Sequence, residues 1–382
     1  MAALQTVSVE QGDIKVDLFQ QIGRDPFTPS PERLAQISAV ADTIAQFIRG
    51  ARATLDIAIY DFRLHDEAAK IVLDAIRDRA KAGVAIRIAF DAATSVDKAP
   101  AAPPAHIEAD AKPPGTESFV TSLRESANIR GITGYRVLMH NKYLVRDAAS
   151  TDAAVLMGSA NFTNDSWGLQ ENNILRLNSQ PLAAHYAEDF AALWSRGKIV
   201  ETTGSGDSGT ADIGDAKLTV AFTPGDSAVA LKEIVGAISV AARRLYVASV
   251  VISSGPILAA LSEAIDRGMA PAGLYDGPQM DQVVRQWKGA HVGNDKINTW
   301  EKVASHLVGK NSIPYDATKP HQPHNFMHNK LVVADDIVCT GSFNLSNHAM
   351  GNAENVLVIR EAALADAYEQ YILGLIATYR AK

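Results

Sequence analysis

The sequence predicts a duplicated α/β protein with pseudo-twofold symmetry. Three observations predict it: one polar motif occurs twice, strand and helix patterns precede each copy in the same order, and a segment without apolar periodicity separates the copies. At 382 residues, with 47% hydrophobic and 21% charged residues, the chain is long enough to bury a sizeable core. We therefore expect two halves, each an α/β unit with helices packed outside a mixed sheet.

Strand, helix and strand patterns precede each motif. In the first half they cover 55–62, 68–82 and 86–91, and in the second half 245–252, 256–267 and 272–276. Each helix pattern ends at a glycine, Gly83 or Gly268, as a C-terminal cap requires. Both second strands end in an acidic residue, Asp91 or Asp276. A long loop, a strand pair that carries the motif and a closing helix complete each half.

The repeated motif has the form His-x-Lys-x-x-x-x-Asp. Its residues are His140, Lys142 and Asp147 in the first half and His328, Lys330 and Asp335 in the second. Each copy is followed by Gly-Ser-x-Asn and, ten positions past that Asn, by a Glu; these residues are Ser159, Asn161 and Glu171, then Ser342, Asn344 and Glu354. The two His-x-Lys-x-x-x-x-Asp motifs lie 188 residues apart (140 to 328), whereas the two Gly-Ser-x-Asn elements lie only 183 residues apart (161 to 344). The five extra residues predict a longer hairpin turn within 148–154.

The boundary between the halves is predicted in a Gly-, Ser- and Thr-rich segment at 201–210. We therefore divide the chain into an N-terminal repeat over 1–203, a linker over 204–215 and a C-terminal repeat over 216–382. Two further stretches, 95–117 and 277–326, read as irregular and lie upstream of each His, where long loops usually shape substrate access. Trp287 and Trp300 in the second stretch either contact a substrate or, more commonly for such residues, pack in the core or a lid.

The net charge of −7 gives no global attraction to a phosphate backbone, so nucleic-acid binding would have to rest on a local basic cleft. The single cysteine, Cys339, excludes an intramolecular disulfide and is expected to be a buried strand residue. No signal peptide and no apolar run long enough for a membrane span is visible, so we expect a cytoplasmic protein. A leader that had been removed would leave the same pattern.

Two copies of one ionisable set indicate a composite site in which two imidazoles face each other. A histidine that attacks phosphorus needs an oriented neutral ring, groups that steady the phosphoryl oxygens and an acid for the leaving alkoxide. Each Lys lies two positions from its His, so on a strand the two side chains share a face. We expect Asn161 and Asn344 to contact the phosphate. Glu171 and Glu354 should orient His140 and His328, respectively. Asp147 and Asp335 should anchor the ends of the strands.

This set resembles the phospholipase D superfamily, whose hallmark is His-x-Lys-x-x-x-x-Asp followed by Gly-Ser-x-Asn. The resemblance covers both halves from about residue 55 and implies a duplicated phospholipase D-like α/β/α sandwich with two mixed sheets. It also implies that His140 is the nucleophile of a phosphohistidine intermediate and that His328 is the general acid and then the base. No metal or other cofactor is implied, and one chain with both motifs can complete the site as a monomer.

The resemblance leaves the substrate open, because members act on phospholipids, transfer phosphatidyl groups or cut nucleic acid. The negative charge and the long loops favour a phospholipid or small diester, with transient contact at a membrane surface. The segment 341–357 is similar to that of nuclease-like members, so a metal-independent nuclease is the alternative. A non-catalytic module that binds phosphate or phospholipid is the alternative from another class.

Other polar residues near the second motif have less specific interpretations. The spacing of His321, His324 and His328 would suit a metal, but the surrounding loop is rich in proline and offers no helical face to align them, so we expect no metal there. We expect His321 and His324 to line the cleft or lie in solvent. The remaining cations either add positive potential near the site or are scattered surface charge; they are Arg136, Arg146, Lys310 and Lys319.

Overall fold

The computed structural model describes residues 4–9, 12–92, 115–290, 294–314, 316, 319 and 322–380. The strands of the first half are β1 (Gln5–Val9), β2 (Ile14–Phe19), β3 (Thr54–Ile59), β4 (Phe62–Arg63), β5 (Ala85–Asp91), β6 (Asn128–Ile132), β7 (Lys142–Arg146), β8 (Ala154–Gly158), β9 (Phe162–Thr163) and β10 (Asn172–Asn178). Eight of them form a mixed sheet in the order β1-β2-β10-β8-β7-β3-β5-β6, while β4 pairs with β9.

The second half builds the same sheet again. Its strands are β11 (Gly209–Ile213), β12 (Ala216–Thr223), β13 (Leu245–Ser249), β14 (Ala272–Asp276), β15 (Val308–Lys310), β16 (Lys330–Ala334), β17 (Ile337–Gly341) and β18 (Glu354–Arg360). They form an eight-stranded mixed sheet in the order β11-β12-β18-β17-β16-β13-β14-β15. The two orders correspond strand by strand, which confirms the predicted duplication.

Helices cover both faces of each sheet. They are α1 (Pro31–Arg49), α2 (Asp66–Lys81), α3 (Thr116–Thr121), α4 (Asn164–Gly168), α5 (Gln180–Arg196), α6 (Ser227–Val240), α7 (Gly255–Asp266), α8 (Gly277–Gly289), α9 (Asn294–Ala304) and α10 (Ala362–Arg380), with a 3₁₀ turn at His348–Met350. One hydrophobic cluster joins α5 and α10 to residues of both sheets, and a separate outer core backs each sheet. Within the described ranges no helix is both long and apolar enough to cross a membrane.

The predicted strands and helices upstream of each motif are confirmed to within a few residues. Gly83 and Gly268 have φ of 87° and 84°, the left-handed conformation of a C-terminal cap. The turn from β7 to β8 contains residues 147–153, whereas the turn from β16 to β17 contains only 335–336. The first turn is thus five residues longer than the second, which confirms the predicted insertion. Cys339 is buried in β17 and forms no disulfide, as expected.

Two predictions about loops differ from the structure. The stretch 277–326 is not irregular, because it contains α8 and α9. In α8 the buried apolar positions are Met280, Val283 and Trp287, and in α9 they are Ile297, Trp300 and Val303, at helical spacings of three and four residues. Polar residues between these positions weaken the apolar periodicity that would predict a helix. Both tryptophans lie in the outer core of the second half, which confirms core packing as their role.

The predicted linker over 204–215 also contains structure. Its residues Gly209–Ile213 form β11, the first strand of the second sheet. Only Ala211 and Ile213 point inward there, so the apolar alternation is too short to predict a strand. The predicted loop 95–117 falls mostly outside the described residues.

Candidate active site

The segment before each motif strand is held by the acid that ends the strand two places away in the same sheet, β5 or β14. Asp91 Oδ1 accepts a hydrogen bond from the backbone N–H of Met139 at 2.8 Å. Asp276 Oδ2 accepts one from the backbone N–H of Met327 at 2.9 Å. Because β7 and β16 begin three residues after these methionines, the contacts fix where the intervening histidines, His140 and His328, enter the site.

Each motif is also held against the opposite half. Met139 forms a parallel bridge with Ala353, and the backbone N–H of His140 donates to the Ala353 carbonyl at 2.9 Å. The corresponding bridge of the second motif joins Met327 to Glu171. The two histidine segments therefore meet at the junction between the halves.

The two lysines are buried beside their histidines. Lys142 Nζ donates to the carbonyl of His140, and Lys330 Nζ donates to the carbonyl of His328, each at 2.7 Å. Burial and then both ammonium charges lower the pKa of His328, while at Glu354 the same two charges oppose the rise in pKa that burial causes. Since residues from both halves act on the same groups, the two motifs form one composite site.

Asp147 and Asp335 lie at the far end of the motif strands. The carboxylate of Asp147 accepts hydrogen bonds from three successive backbone N–H groups, those of Arg52, Ala53 and Thr54, at 2.7 to 3.0 Å. Asp335 accepts from those of Ala242, Arg243 and Arg244, at 2.7 to 3.1 Å. Each aspartate thus ties its strand to the start of the adjacent strand, β3 or β13, and does not enter the site.

The Gly-Ser-x-Asn element packs closely on the strand that follows it. A Cβ at Gly158 would lie 2.2 Å from the carbonyl oxygen of Asn173, and a Cβ at Gly341 would lie 2.3 Å from that of Asn355. Only glycine permits this approach. The next residue in each element, a serine, then donates its backbone N–H to the same carbonyl at 3.1 Å and accepts the N–H of that asparagine through its hydroxyl at 3.0 Å.

These contacts show which residues correspond in the two halves. Asn173 and Asn355 occupy the same place, so Glu354 corresponds to Asn172, and Glu171 corresponds to Ala353. The expected equivalence of Glu171 and Glu354 is therefore wrong. The first half has one extra residue before β10, in a segment that forms α4 where the second half forms a 3₁₀ turn. A shift of one residue turns a strand side chain to the opposite face.

His140 is paired with a carboxylate from the other half. Its Nδ1 lies 2.7 Å from Oε2 of Glu354, and both side chains are almost completely buried. Asn352 Nδ2 donates to the other carboxylate oxygen at 3.1 Å. Burial raises the pKa of Glu354 to about 8, and the nearby Lys142 charge opposes that rise. The expectation that Glu354 orients His328 is wrong, because the glutamate crosses to His140.

His328 is paired with an amide. Its Nδ1 lies 3.0 Å from Oδ1 of Asn172, which also accepts a hydrogen bond from the Ser159 hydroxyl at 2.7 Å. Burial, followed by the charges of Lys330, Lys142 and His140, holds the pKa of His328 well below its usual range.

Glu171, expected beside His140, lies elsewhere. Its Oε2 accepts from Lys310 Nζ at 2.6 Å, while Oε1 accepts from the Tyr379 hydroxyl and from the backbone N–H of Gln21. The Glu171 and Lys310 side chains are 0% and 1% exposed. The interpretation of Lys310 as surface charge is therefore wrong; it forms a buried ion pair between the halves.

The remaining predicted residues have varied surroundings. Asn344 is buried and Asn161 half-buried, and the backbone carbonyl of Asn161 accepts a hydrogen bond from the Trp167 indole at 2.9 Å. Ser342 hydrogen-bonds Glu354. His324 is half-buried and stacks on Phe326 with ring centroids 5.2 Å apart, whereas His321 lies outside the described residues.

Two residues of the site were missed in the sequence. Asn172 would have been found by aligning the Asn that directly precedes each apolar run, Asn173 before Ile174 and Asn355 before Val356. Tyr60 follows β3; its ring lies 4.8 Å from that of His140, edge to face, and Lys142 Nζ lies 5.0 Å from the tyrosine ring centroid. Nothing in its local pattern distinguished Tyr60 from other strand residues.

Comparisons with known proteins agree with the duplicated fold. The family model described as "Cardiolipin synthase, PLD-like domain" matches residues 44–194 and 234–376, so it covers both halves. A protein named "Phospholipase D" from Rickettsia bellii (strain RML369-C) is 31% identical over 157 residues, which is 41% of this chain and 67% of that protein.

Two solved structures are similar to this chain. A phosphatidylserine synthase from Haemophilus influenzae Rd KW20 aligns over 99% of this chain and 87% of that chain, with a TM-score of 0.57 and 12% identity. The phospholipase D family member Nuc from Salmonella typhimurium aligns over 42% of this chain and 93% of that chain, with a TM-score of 0.32 and 22% identity. The first of these supports the duplicated fold over the whole length.

Proposed function

Because the chain belongs to the phospholipase D superfamily, we propose that it cleaves or transfers a phosphodiester through a covalent phosphohistidine. Membership supports a phosphodiesterase-type enzyme. The observation that carries the finer proposal is the hydrogen bond between His140 Nδ1 in one half and Glu354 in the other, at 2.7 Å. It engages Nδ1 and so makes Nε2 the nitrogen available for chemistry, at a junction where the second His-x-Lys pair also lies.

The proposed reaction has two steps. In the first, Nε2 of one histidine attacks phosphorus, the N–P bond forms, and the P–O bond to the leaving alkoxide breaks as the other histidine protonates that oxygen. In the second, the same acid–base histidine takes a proton from water or an acceptor alcohol, whose oxygen attacks phosphorus and breaks the N–P bond. Lys142 and Lys330 would stabilise charge on the non-bridging oxygens, and Asn161 and Asn344 would add neutral donors.

We propose a phospholipid or a small diester as the substrate. Two observations support this choice: the net charge of −7, which disfavours a long polyanion, and the relative from Rickettsia bellii that is named "Phospholipase D". A nuclease is the second candidate, favoured by the segment 341–357, which is similar to that of nuclease-like members.

A substrate panel tests the proposal. Phosphatidylcholine vesicles, plasmid DNA, RNA and bis(p-nitrophenyl) phosphate are incubated in parallel with the wild-type chain and with His140→Ala. We expect release of p-nitrophenol and a soluble headgroup by the wild type only. Cleavage of DNA or RNA without headgroup release would establish the nuclease instead. Tight binding of phosphate or vesicles without any product would indicate a binding module and end the proposal of catalysis.

A further inference from the structure

We propose that the site binds an amphipathic phosphodiester in one orientation, with a hydroxyl-bearing headgroup against polar residues around Tyr60 and His324 and the apolar remainder against valines around Val250. This rests on the proposed function and names a substrate class for the same site. The repeat predicts two similar surroundings for the histidines, but the structure places polar side chains on one side and valines at corresponding positions on the other.

Strand registers show which residues correspond on the two sides. β3 pairs with β7, and β13 pairs with β16, so that the last residue of β3 or β13 faces the motif lysine. The next two residues of the chain therefore occupy equivalent places; they are Tyr60 and Asp61 in the first half and Val250 and Val251 in the second. The ring centroid of Tyr60 lies 4.8 Å from that of His140, so this place borders the site.

Charged residues of both signs adjoin Tyr60. Asp61 Oδ1 accepts a hydrogen bond from Arg63 Nε at 3.0 Å. Asp165 Oδ2 accepts one from the backbone N–H of His324 at 3.1 Å. Burial lowers the pKa of His324, and the charges of Asp165 and Arg63 act on the same ring, so the two pairs lie close together. Tyr60, Arg63, Asp165 and His324 are half-buried, and with Asp61 they form the polar side of the site.

The segment that carries His324 is fixed to the polar side by the first half. Gln170 Nε2 donates to the backbone carbonyl of His324 at 3.1 Å, and Asn325 Nδ2 donates to Oε1 of Gln21 at 3.2 Å. The segment then leads into His328, four residues after His324. The polar side is therefore built from both halves and adjoins both motifs.

The matching segment of the first half crosses to the second half. The backbone N–H of Leu138 donates to Oδ1 of Asn352 at 2.9 Å, and Val137 Cγ1 lies 3.3 Å from where a Cβ on Gly351 would be. Counted back from the methionine before each motif histidine, Val137 corresponds to Asn325. Val137 is half-buried, and with Val250 and Val251 it forms the apolar side of the site.

The remaining corresponding positions differ in charge. By distance from the Gly-Ser-x-Asn element, Asp165 corresponds to His348. His324 corresponds to Arg136, which is exposed. Because Asp61 corresponds to a valine, neither carboxylate of the polar side has an acidic counterpart. The duplicated fold thus surrounds the histidines with two chemically unequal sides.

The composition of each side determines what it can bind. The polar side offers carboxylates together with a guanidinium and an imidazole, and Lys142 Nζ lies 5.0 Å from the Tyr60 ring centroid, so no single sign of charge dominates. Hydroxyl groups suit such a surface because each one both donates and accepts hydrogen bonds. Valine side chains form no hydrogen bond and gain free energy when hydrocarbon covers them. A phospholipid with a hydroxylated headgroup carries both kinds of group on one phosphorus.

Short-chain lipids that stay monomeric test the polar side without a membrane surface. We expect kcat/KM of the wild-type chain, measured by mass spectrometry as consumption of the lipid, to be at least about tenfold higher for dihexanoyl phosphatidylglycerol than for dihexanoyl phosphatidylmethanol, whose headgroup has no hydroxyl. Asp165→Asn keeps the size of the side chain but removes its charge, and it should lower this ratio at least about threefold. Asp78→Asn, on the exposed face of α2, should leave the ratio unchanged.

Acyl chain length tests the apolar side. We expect kcat/KM of the wild type to rise from dibutyryl to dihexanoyl phosphatidylglycerol, because the longer chains bury more hydrocarbon. Val251→Thr has nearly the same shape but adds a hydroxyl, and it should reduce that rise at least about twofold. Val229→Thr in α6, where the valine is 38% exposed, serves as the matched control and should not reduce it.

Three results would overturn the inference. Equal kcat/KM for phosphatidylglycerol and phosphatidylmethanol would show that no hydroxyl is recognised. A higher value for dihexanoyl phosphatidylcholine than for phosphatidylglycerol would indicate a site for a cation. An effect of Val251→Thr on the headgroup ratio, with the chain-length dependence unchanged, would place the headgroup on the apolar side.

Failure of the proposed function has a different signature. If the wild-type chain hydrolyses bis(p-nitrophenyl) phosphate but consumes no lipid, the inference fails while the proposed chemistry stands. If it forms no product from any diester, both fail.

Discussion

Nδ1 of His140 and Oε2 of Glu354 lie 2.7 Å apart although 214 residues separate them in the chain. Each half therefore supplies part of the environment of the other half's histidine. The pairing is also unequal, since the corresponding contact of His328 is with the amide of Asn172. The predictions below follow from this junction and from the buried groups around it.

Replacing either histidine by alanine should abolish sustained turnover. We expect His140→Ala and His328→Ala each to lower the steady-state rate on bis(p-nitrophenyl) phosphate by at least about 10³-fold, because both steps need both rings. Circular dichroism and thermal unfolding of the same samples separate this loss from misfolding. Retention of the full rate by a folded variant would exclude the mechanism.

Chelation should leave the activity unchanged. The proposed reaction uses histidine, lysine and asparagine side chains to do what a metal does in other phosphodiesterases. We expect equal rates before and after dialysis against EDTA, measured on the same diester. Loss of activity that zinc restores would contradict the prediction.

Removing one partner of the ion pair between Lys310 and Glu171 should lower the free energy of unfolding more than removing both. We expect Lys310→Met to lower the free energy of unfolding by about 3–5 kcal/mol, because it leaves a buried carboxylate without its cation. Adding Glu171→Gln should restore at least half of that loss, as measured by urea unfolding of the single and double variants.

The exposed pair of Lys217 and Asp212 serves as the control for this cycle. Its nitrogen and oxygen are 2.8 Å apart, but both side chains are more than half exposed. Lys217→Met should therefore change stability by less than about 1 kcal/mol. Equal losses in the free energy of unfolding for Lys217→Met and Lys310→Met would show that burial does not determine how much an ion pair contributes to stability.

Stability should fall with rising pH because of Asp189 in α5. Burial raises the pKa of this carboxyl from 3.8 to about 8, although Tyr143 donates a hydrogen bond to it at 2.6 Å. The folded state therefore holds a proton that the unfolded state releases above about pH 4. The resulting stability is fully present below that pH and is lost as pH rises to about 8.

Asp189→Asn should remove this contribution and make the fall in stability between pH 5 and pH 8 less steep, with the buried Glu354 carboxyl, whose pKa is also raised to about 8, accounting for part of the remaining slope. Urea unfolding across that range measures it, and Asp78→Asn on the exposed face of α2 provides the matched change. Parallel curves for wild type and Asp189→Asn would refute the assignment of the pH dependence to this carboxyl.

Much of the fold could be predicted because its signals are local. Alternating apolar residues at 55–59 and 245–249 and the glycines that end α2 and α7 fix the strand–helix order of each half. The repeat then implies two similar sheets. Helices α8 and α9 escaped prediction because polar residues separate their few buried apolar positions.

The sequence predicts which residues form the site better than it predicts which of them hydrogen-bond to each other. The histidines, lysines and asparagines stand at fixed motif positions, so their presence could be read directly. Which carboxylate reaches which histidine depends on a one-residue shift before β10 and on contacts across the junction. Counting ten positions from Asn161 selected Glu171, whereas the fold places its neighbour Asn172 against His328.

The last helix of the chain reaches back to the first half. In α10, the Tyr371 hydroxyl donates to the carbonyl of Phe19 at 2.6 Å, and the Tyr379 hydroxyl donates to Glu171, one residue before Asn172. Shortening α10 by a single turn would delete Tyr379 and release the support beneath the amide that orients His328. The last described turn of α10 is therefore linked, through Tyr379 and Glu171, to the strand whose next residue contacts His328.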